Sequence, residues 1–198
     1  MKYQEFKKSI NKPYFNNLDI LFKKLNVYAY QLSLWRKKEY IGRLKKGMYF
    51  FIEEKEKMIP QEISFLLYQP SYLSLESALS YYGLIPELVY AQTGVTTKTT
   101  RKFSNDFGNF GYRHIQSKLF FGYVAVETKF GKYLMAEPEK ALIDYFYFNS
   151  GKINDQKDVS ELRINQDELK RIIDRKKLDF YLKEFDIEKL TRSINMLF

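Results

Sequence analysis

Two residue types that build many active sites are scarce in this chain of 198 residues. There is no cysteine, which excludes disulfides, thiolate metal ligands and a cysteine nucleophile, and which fits a reducing compartment. The single histidine, His114, is the only residue that could serve a Ser-His-Asp triad, and a zinc site with several histidines is excluded. No Walker loop, dinucleotide glycine motif or zinc signature occurs. We therefore expect no catalytic residues and no bound metal or cofactor.

Long hydrophobic runs are also missing. No stretch approaches the ~20 apolar residues that span a bilayer. The first ten residues, MKYQEFKKSI, are polar and lack the apolar centre of a signal peptide. We expect a cytoplasmic protein with no membrane partner. Apolar residues make up 45% and charged residues 29%, the balance of a globular chain that forms one domain or two small ones.

The positive charge is concentrated at one end of the chain. Of the net charge of +9, residues 1–60 carry +8, from 14 Lys and Arg against 6 Asp and Glu. A basic segment of this size attracts polyanions by counterion release, and nucleic acid is the usual one. A merely soluble basic surface is the alternative.

The first sixty residues contain the pattern of two short helices followed by a hairpin. The segment FNNLDILFKKL, residues 15–25, places Leu18, Leu21, Phe22 and Leu25 on one helix face. A second helix is predicted from about Tyr28 to Lys38.

In that second helix, Tyr28, Leu32 and Trp35 share one side, and Trp35 is expected in the core. The segment YIGRLKKGMYFFI, residues 40–52, suits two strands joined by a tight turn at Gly47, because glycine tolerates positive φ. Together these elements predict a winged helix-turn-helix.

Such a module offers a defined set of side chains to duplex DNA. We expect Arg36 or Gln31 to discriminate between bases, and the lysines to supply salt-sensitive affinity. A solvated helix face is the alternative interpretation. The candidate DNA-binding residues are Gln31, Ser33, Arg36, Lys37 and Lys38 on the helix and Arg43, Lys45 and Lys46 on the hairpin.

The remainder of the chain alternates helical and strand-like segments. Helices are predicted after Pro60, Ser74, Pro138 and Asn165, and strands within residues 89–100, 110–115, 119–127 and 132–136. The predicted fold class is α+β. A winged helix-turn-helix over residues 1–58 precedes a mixed α/β domain over residues 59–198, with a small, mainly antiparallel sheet and a helical tail.

Two segments of the second domain leave other functions open. The run VTTKTTRKF, residues 95–103, is either an edge strand protected by lysines or a second basic surface for phosphate or RNA. Its candidate residues are Lys98, Arg101 and Lys102. The carboxylates Glu137, Glu139 and Asp144 suit a helix start and its polar face, or the metal site of a nuclease-like enzyme. His114 is expected to pack or hydrogen-bond.

Several ordered segments resemble the AbiEi family of antitoxins. These are LSLWRKKEYIGRLKKGMYFF, YLSLESALSYYGLIPE, VTTKTTRKF, FGNFGYRHI, LFFGY and AEPEKALIDYFYF, and the likeness weakens after about residue 150. Glu39 departs from the family pattern, in which a glycine is expected after the recognition helix.

The resemblance implies a function that the residues alone do not establish. Members of this family are non-enzymatic regulators in type IV toxin–antitoxin systems of phage defence. The N-terminal domain binds operator DNA upstream of its own operon and represses it. The C-terminal domain opposes a nucleotidyltransferase toxin, and no stable complex with that toxin is expected. The nuclease-like enzyme and the RNA-binding module remain the alternatives.

Overall fold

The N-terminal unit consists of three helices and a small antiparallel sheet. The computed structural model describes residues 1–87 and 89–198. The elements of this unit are α1 (Tyr3–Ser9), β1 (Tyr14–Asn16), α2 (Asn17–Phe22), α3 (Ala29–Lys37), β2 (Ile41–Lys45) and β3 (Met48–Phe51). The sheet order is β1-β3-β2 with antiparallel pairing throughout. Gly47 occupies the tight turn between β2 and β3 at a φ of +77°, the conformation for which the sequence predicted glycine.

The core of this unit is aromatic. Trp35 is buried as predicted and stacks on Phe6, their ring centroids 5.1 Å apart. Phe15 and Phe51 close the cluster from the sheet, and Leu32 joins it from α3. The side of α3 that carries Leu32 and Trp35 therefore faces inward.

One sequence prediction about the faces of these helices is wrong, and the other face is exposed. Tyr28 does not share the buried side of α3, because it is the N-cap residue and is 61% exposed. On α2, Leu18, Leu21 and Phe22 are exposed despite their helical spacing. The helix ends at Phe22; Ile20 within it and Leu25 beyond its end pack against the core.

The end of α3 is a Schellman motif with an unusual residue in it. The N–H of Tyr40 donates to the carbonyl of Trp35 at 2.9 Å, and the N–H of Glu39 donates to that of Arg36 at 3.0 Å. Glu39 has a φ of +56°, in the left-handed region where this motif normally places glycine. The departure noted in the sequence therefore falls at a strained position.

The second unit is built on one large sheet. A 3-10 turn, Ile52–Lys57, leads into α4 (Pro60–Leu67), β4 (Ser71–Leu73), α5 (Leu75–Tyr81), β5 (Ala91–Thr96), β6 (Arg101–Asn105), β7 (Gly108–His114), β8 (Tyr123–Glu127) and β9 (Lys132–Ala136). The helices that follow are α6 (Pro138–Phe148), α7 (Gln156–Glu161), α8 (Gln166–Ile172), α9 (Arg175–Phe185) and α10 (Glu188–Asn195). In the described part of the chain, no helix has the length and apolarity needed to cross a membrane.

The α+β fold class is confirmed, but the sheet of this unit is larger than the small sheet that the sequence predicted. The sheet has six strands in the order β6-β7-β5-β4-β9-β8, and it is mixed. The pairs β5–β7 and β4–β9 are parallel, and the other three are antiparallel. Parallel pairs join strands that are distant in sequence, so the local hairpin pattern could not reveal them.

Apolar packing continues across the predicted domain boundary after residue 58. One buried cluster unites Phe50 and Leu44 of the hairpin with Ile63 of α4 and with Phe110 and Tyr112 of β7. The main core of the second unit is separate and lies between the sheet and helices α5, α6, α9 and α10. The hairpin therefore shares its core with the second unit.

The strain at Glu39 predicts that Glu39→Gly stabilises the protein. Relief of the left-handed backbone strain, about 1–2 kcal/mol for an L-residue, should outweigh the extra chain entropy that glycine loses on folding, for a net gain of roughly 0.5–1 kcal/mol. Urea denaturation measures this gain. Glu39→Gln is the control, because it removes the charge and keeps the strain, and equal stability of the two variants would contradict the assignment.

Candidate nucleic-acid interface

The exposed side of α3 carries a mixed set of side chains. Counting around the helix at its 3.6-residue period, the outward side runs from Arg36 through Ser33 and Lys37 to Tyr30 and Leu34. All five are exposed, and they lie away from Leu32 and Trp35. Tyr30 and Leu34 were not among the predicted site residues, because apolar residues on a helix are usually assigned to a core. The helical spacing could have indicated their exposure, since neither lies on the face that carries Leu32 and Trp35.

Gln31 does not belong to this outward side. Its Oε1 accepts a hydrogen bond from the N–H of Tyr28 at 3.0 Å, and its Nε2 donates to the carbonyl of Met1 at 2.8 Å. The amide thus caps α3 and holds Met1 against the helix. The expected role of Gln31 in base discrimination is therefore not supported. Ser33 donates to the carbonyl of Ala29 at 3.1 Å and remains exposed. Lys38 is exposed at the C-cap.

A cleft of about 720 Å³ is lined by the β2–β3 hairpin and by residues 103–106 at the turn between β6 and β7. Asn105 links its two sides, because its Nδ2 donates to the carbonyl of Leu44 at 3.3 Å. We call this space the basic cleft. Its polar lining comprises Arg36, Arg43, Lys45 and Lys46 from the N-terminal unit, Ser104, Asn105 and Asp106 from the second unit, and Glu39.

Lys45 lines the basic cleft, but its ammonium group is engaged elsewhere. The Nζ donates to the carbonyls of Leu66 and Leu67, at 3.0 and 2.8 Å, in the last turn of α4. A cation there complements the helix dipole. Burial lowers the pKa of Lys45, and the charges of Lys98 and Arg101 lower it further. The expectation that Lys45 contacts DNA as freely as its neighbours is therefore corrected: it braces α4.

The run predicted as one basic strand is two strands joined by a loop. β5 ends at Thr96, residues 97–100 turn, and β6 begins at Arg101. Lys98 and Arg101 both lie over the ring of Tyr68, with the charged group 5.7 and 6.0 Å from its centroid. Lys102 is exposed and, by strand alternation, faces away from Arg101. Lys98 and Arg101, which act on Lys45, therefore extend the positive field of the basic cleft.

The cations of this surface lack acidic partners. The ion pairs in the described residues involve Lys7, Lys57, Lys140, Arg171, Arg175, Lys177 and Arg192. None includes a candidate DNA-binding residue or Lys98, Arg101 or Lys102. Their charges attract solvent ions, which a bound polyanion would release.

The three carboxylates of the nuclease-like alternative have separate partners. Glu137 accepts hydrogen bonds from Lys177 and Tyr181, and Glu139 accepts one from the N–H of Asp174 at 2.8 Å. Asp144 is directed to the interior. Within residues 1–87 and 89–198, no group of three or more His, Asp or Glu side chains could hold a metal ion. The arrangement that this alternative requires is not found there.

Asp144 belongs to a buried polar network. Its carboxylate pairs with Lys140 one helical turn away, and it accepts hydrogen bonds from Ser74 at 2.8 Å and Tyr72 at 2.9 Å. Lys140 also donates to the hydroxyl of Tyr72 at 2.8 Å. Burial lowers the pKa of Lys140 and raises that of Asp144, because the interior disfavours both charges, and their mutual attraction opposes both shifts. The hydroxyl of Ser74 therefore bonds to Asp144 and does not cap α5 as the sequence predicted.

His114 has a local structural contact. Its ring Nδ1 lies 3.0 Å from the carbonyl of Lys98, and its backbone N–H donates to the hydroxyl of Thr100 at 3.1 Å. These contacts hold the loop of residues 97–100 against the end of β7. They agree with the expected hydrogen-bonding role.

Comparison with known proteins does not identify a family. No protein-family model matches the chain, and no curated protein matches it. The resemblance to the AbiEi family therefore rests on the segments quoted above.

The engagement of Lys45 predicts that Lys45→Met lowers stability. The substitution keeps the apolar stem but removes charged hydrogen bonds to the carbonyls of Leu66 and Leu67, a loss of about 1–3 kcal/mol. The free energy of unfolding in urea measures it. Lys46→Met, on the exposed neighbour, should cost little. Equal losses for the two variants would show that the carbonyl contacts contribute nothing.

The buried network predicts a large effect of Asp144→Asn. This change leaves the ammonium of Lys140 without a counter-charge in the interior, and a loss of about 3–5 kcal/mol is expected. Denaturant unfolding of the variant gives the value. The double variant Lys140→Met/Asp144→Asn removes the stranded charge and should recover part of the loss. A single variant as stable as the wild type would rule out the pair.

Proposed function

We propose that the chain is a sequence-specific DNA-binding repressor whose first 58 residues act as a winged helix-turn-helix. In this proposal α3 is the recognition helix and the β2–β3 hairpin is the wing. The observation that carries it is that three cations outside any ion pair of the described residues, Arg36 of α3 and Arg43 and Lys46 of the hairpin, line the basic cleft together. The three-stranded sheet packed beside α3 supports the same assignment.

The side chains divide into two roles. Arg36 and Ser33, on the exposed side of α3, contact base edges in the major groove. Lys37, Arg43 and Lys46 contact phosphates and position the helix. Lys98 and Arg101 add to the attraction from the second unit. Bound in this way, the protein blocks the promoter that it occupies.

The antitoxin role is the second part of the proposal, and it rests on the resemblance to AbiEi proteins. The second unit, residues 59–198, would oppose a nucleotidyltransferase toxin without forming a stable complex with it. The structural contacts of Glu137, Glu139 and Asp144 favour this non-enzymatic role over a nuclease. The protein would act in the cytoplasm.

Gel-shift titration with the duplex that precedes its own coding sequence tests the DNA-binding proposal. A scrambled duplex of the same composition is the comparison, and both are measured at several salt concentrations. We expect tighter binding to the native duplex and a linear fall of log K with log salt. Equal affinity for the two duplexes, or no binding to either, would contradict sequence-specific repression.

The salt dependence of the binding constant shows whether a single lysine contacts a phosphate. Lys46→Ala should weaken binding to all sequences alike and reduce the slope of log K against log salt by about 0.9, the contribution of one released counterion. Lys183→Ala is the matched control, since Lys183 is an exposed lysine of α9, remote from the basic cleft in sequence, and forms no ion pair in the described structure. The assignment of Lys46 is wrong if both variants keep the wild-type slope.

A further inference from the structure

We propose that Tyr30 and Leu34 recognise the 5-methyl groups of thymine in the major groove. This inference rests on the proposed function, because it requires that α3 enters that groove. It names a specificity that the polar and cationic residues of the surface do not supply.

The two side chains lie where a recognition helix meets bases. Tyr30 is 69% and Leu34 is 44% exposed, and at a spacing of i and i+4 they are neighbours on the helix surface. Ser33 and Lys37 flank them on the same outward side. Two large apolar groups thus stand among the groups that would contact DNA.

Tyr30 has one aromatic contact within the N-terminal unit. Its ring stacks on that of Tyr28 with centroids 6.0 Å apart and an interplanar angle of 9°. Neither Tyr30 nor Leu34 belongs to an apolar cluster of the described residues. The chain itself therefore does not bury this pair of residues, which we call the strip. Stacking limits the rotamers of Tyr30.

Among the four bases only thymine presents an apolar group in the major groove. Its C5-methyl accepts contact from aliphatic and aromatic side chains, whereas cytosine has a hydrogen at the same carbon. A leucine and a tyrosine bordered by a hydroxyl and an ammonium group suit a thymine step next to phosphates. A serine or lysine alone would discriminate poorly between methylated and unmethylated pyrimidines.

The test uses duplexes that differ only in this methyl group. A binding sequence is first selected from a random duplex library with the full-length protein. Its affinity is then compared with that of the same duplex carrying deoxyuridine in place of thymidine. We expect each relevant methyl loss to weaken binding about fourfold, the ratio that burial of one methyl corresponds to. Replacing deoxyuridine by 5-methyldeoxycytidine opposite guanine at those sites should restore part of the loss.

Variants locate the effect on α3. Leu34→Ala and Tyr30→Ser should each lose part of the preference for thymidine, and the double variant should bind the two duplexes with nearly equal affinity. Leu21→Ala, at an exposed leucine of α2, should keep the wild-type preference for thymidine and is the matched control. Circular dichroism confirms that each variant is folded.

The outcomes separate this inference from the proposed function. If the wild type binds the selected duplex but ignores the methyl groups, the inference is overturned and DNA binding stands. If no duplex is selected at all, the proposed function fails and the inference fails with it. If Leu34→Ala changes the mass of the free protein in light scattering, the strip is a protein interface and the inference is also overturned.

Discussion

The packing of Phe50 against the second unit determines the geometry of the basic cleft. Its side chain is fully buried, and its ring meets that of Phe107 edge-on at 4.9 Å. On the paired strand, Gly42 lies opposite Phe50, and a Cβ there would clash with the ring. The hairpin can therefore sit against the β6–β7 turn only with glycine at that site. Lys45 adds hydrogen bonds to the end of α4, so apolar contacts and hydrogen bonds hold the hairpin in one orientation.

This constraint explains why the cations of the hairpin lie beside Arg36. The hairpin presents Arg43 and Lys46 on the side that α3 supplies with Arg36, and they line the basic cleft together. Like charges at this density repel one another and weaken the native state unless a polyanion or salt neutralises them. Acidic groups pair with cations elsewhere, as in the buried contact of Lys140 and Asp144. The proposed binding of DNA would relieve this repulsion.

Much of the local structure could be predicted, because its causes are local. The turn at Gly47, the helix starts at Pro60 and Pro138 and the burial of Trp35 follow from residue type and spacing. The parallel pairs of the large sheet could not, since their partners are far apart in sequence. The hydrogen bonds of Gln31 and Lys45 could not be predicted for a related reason. Their acceptors are carbonyls distant in sequence, and residue type alone does not show whether a polar side chain contacts solvent or such a carbonyl. Tyr30 and Leu34 were missed because apolar character alone does not say which helix face is covered.

Amide hydrogen exchange of the full-length protein, with and without a selected duplex, tests the central claim most directly. If α3 and the hairpin form the DNA-binding surface, DNA should slow exchange in residues 29–47, with a smaller effect in residues 98–106. Helices α7 to α10 should exchange as in the free protein. Protection confined to those helices, or absent from residues 29–47 at saturating DNA, would contradict the account.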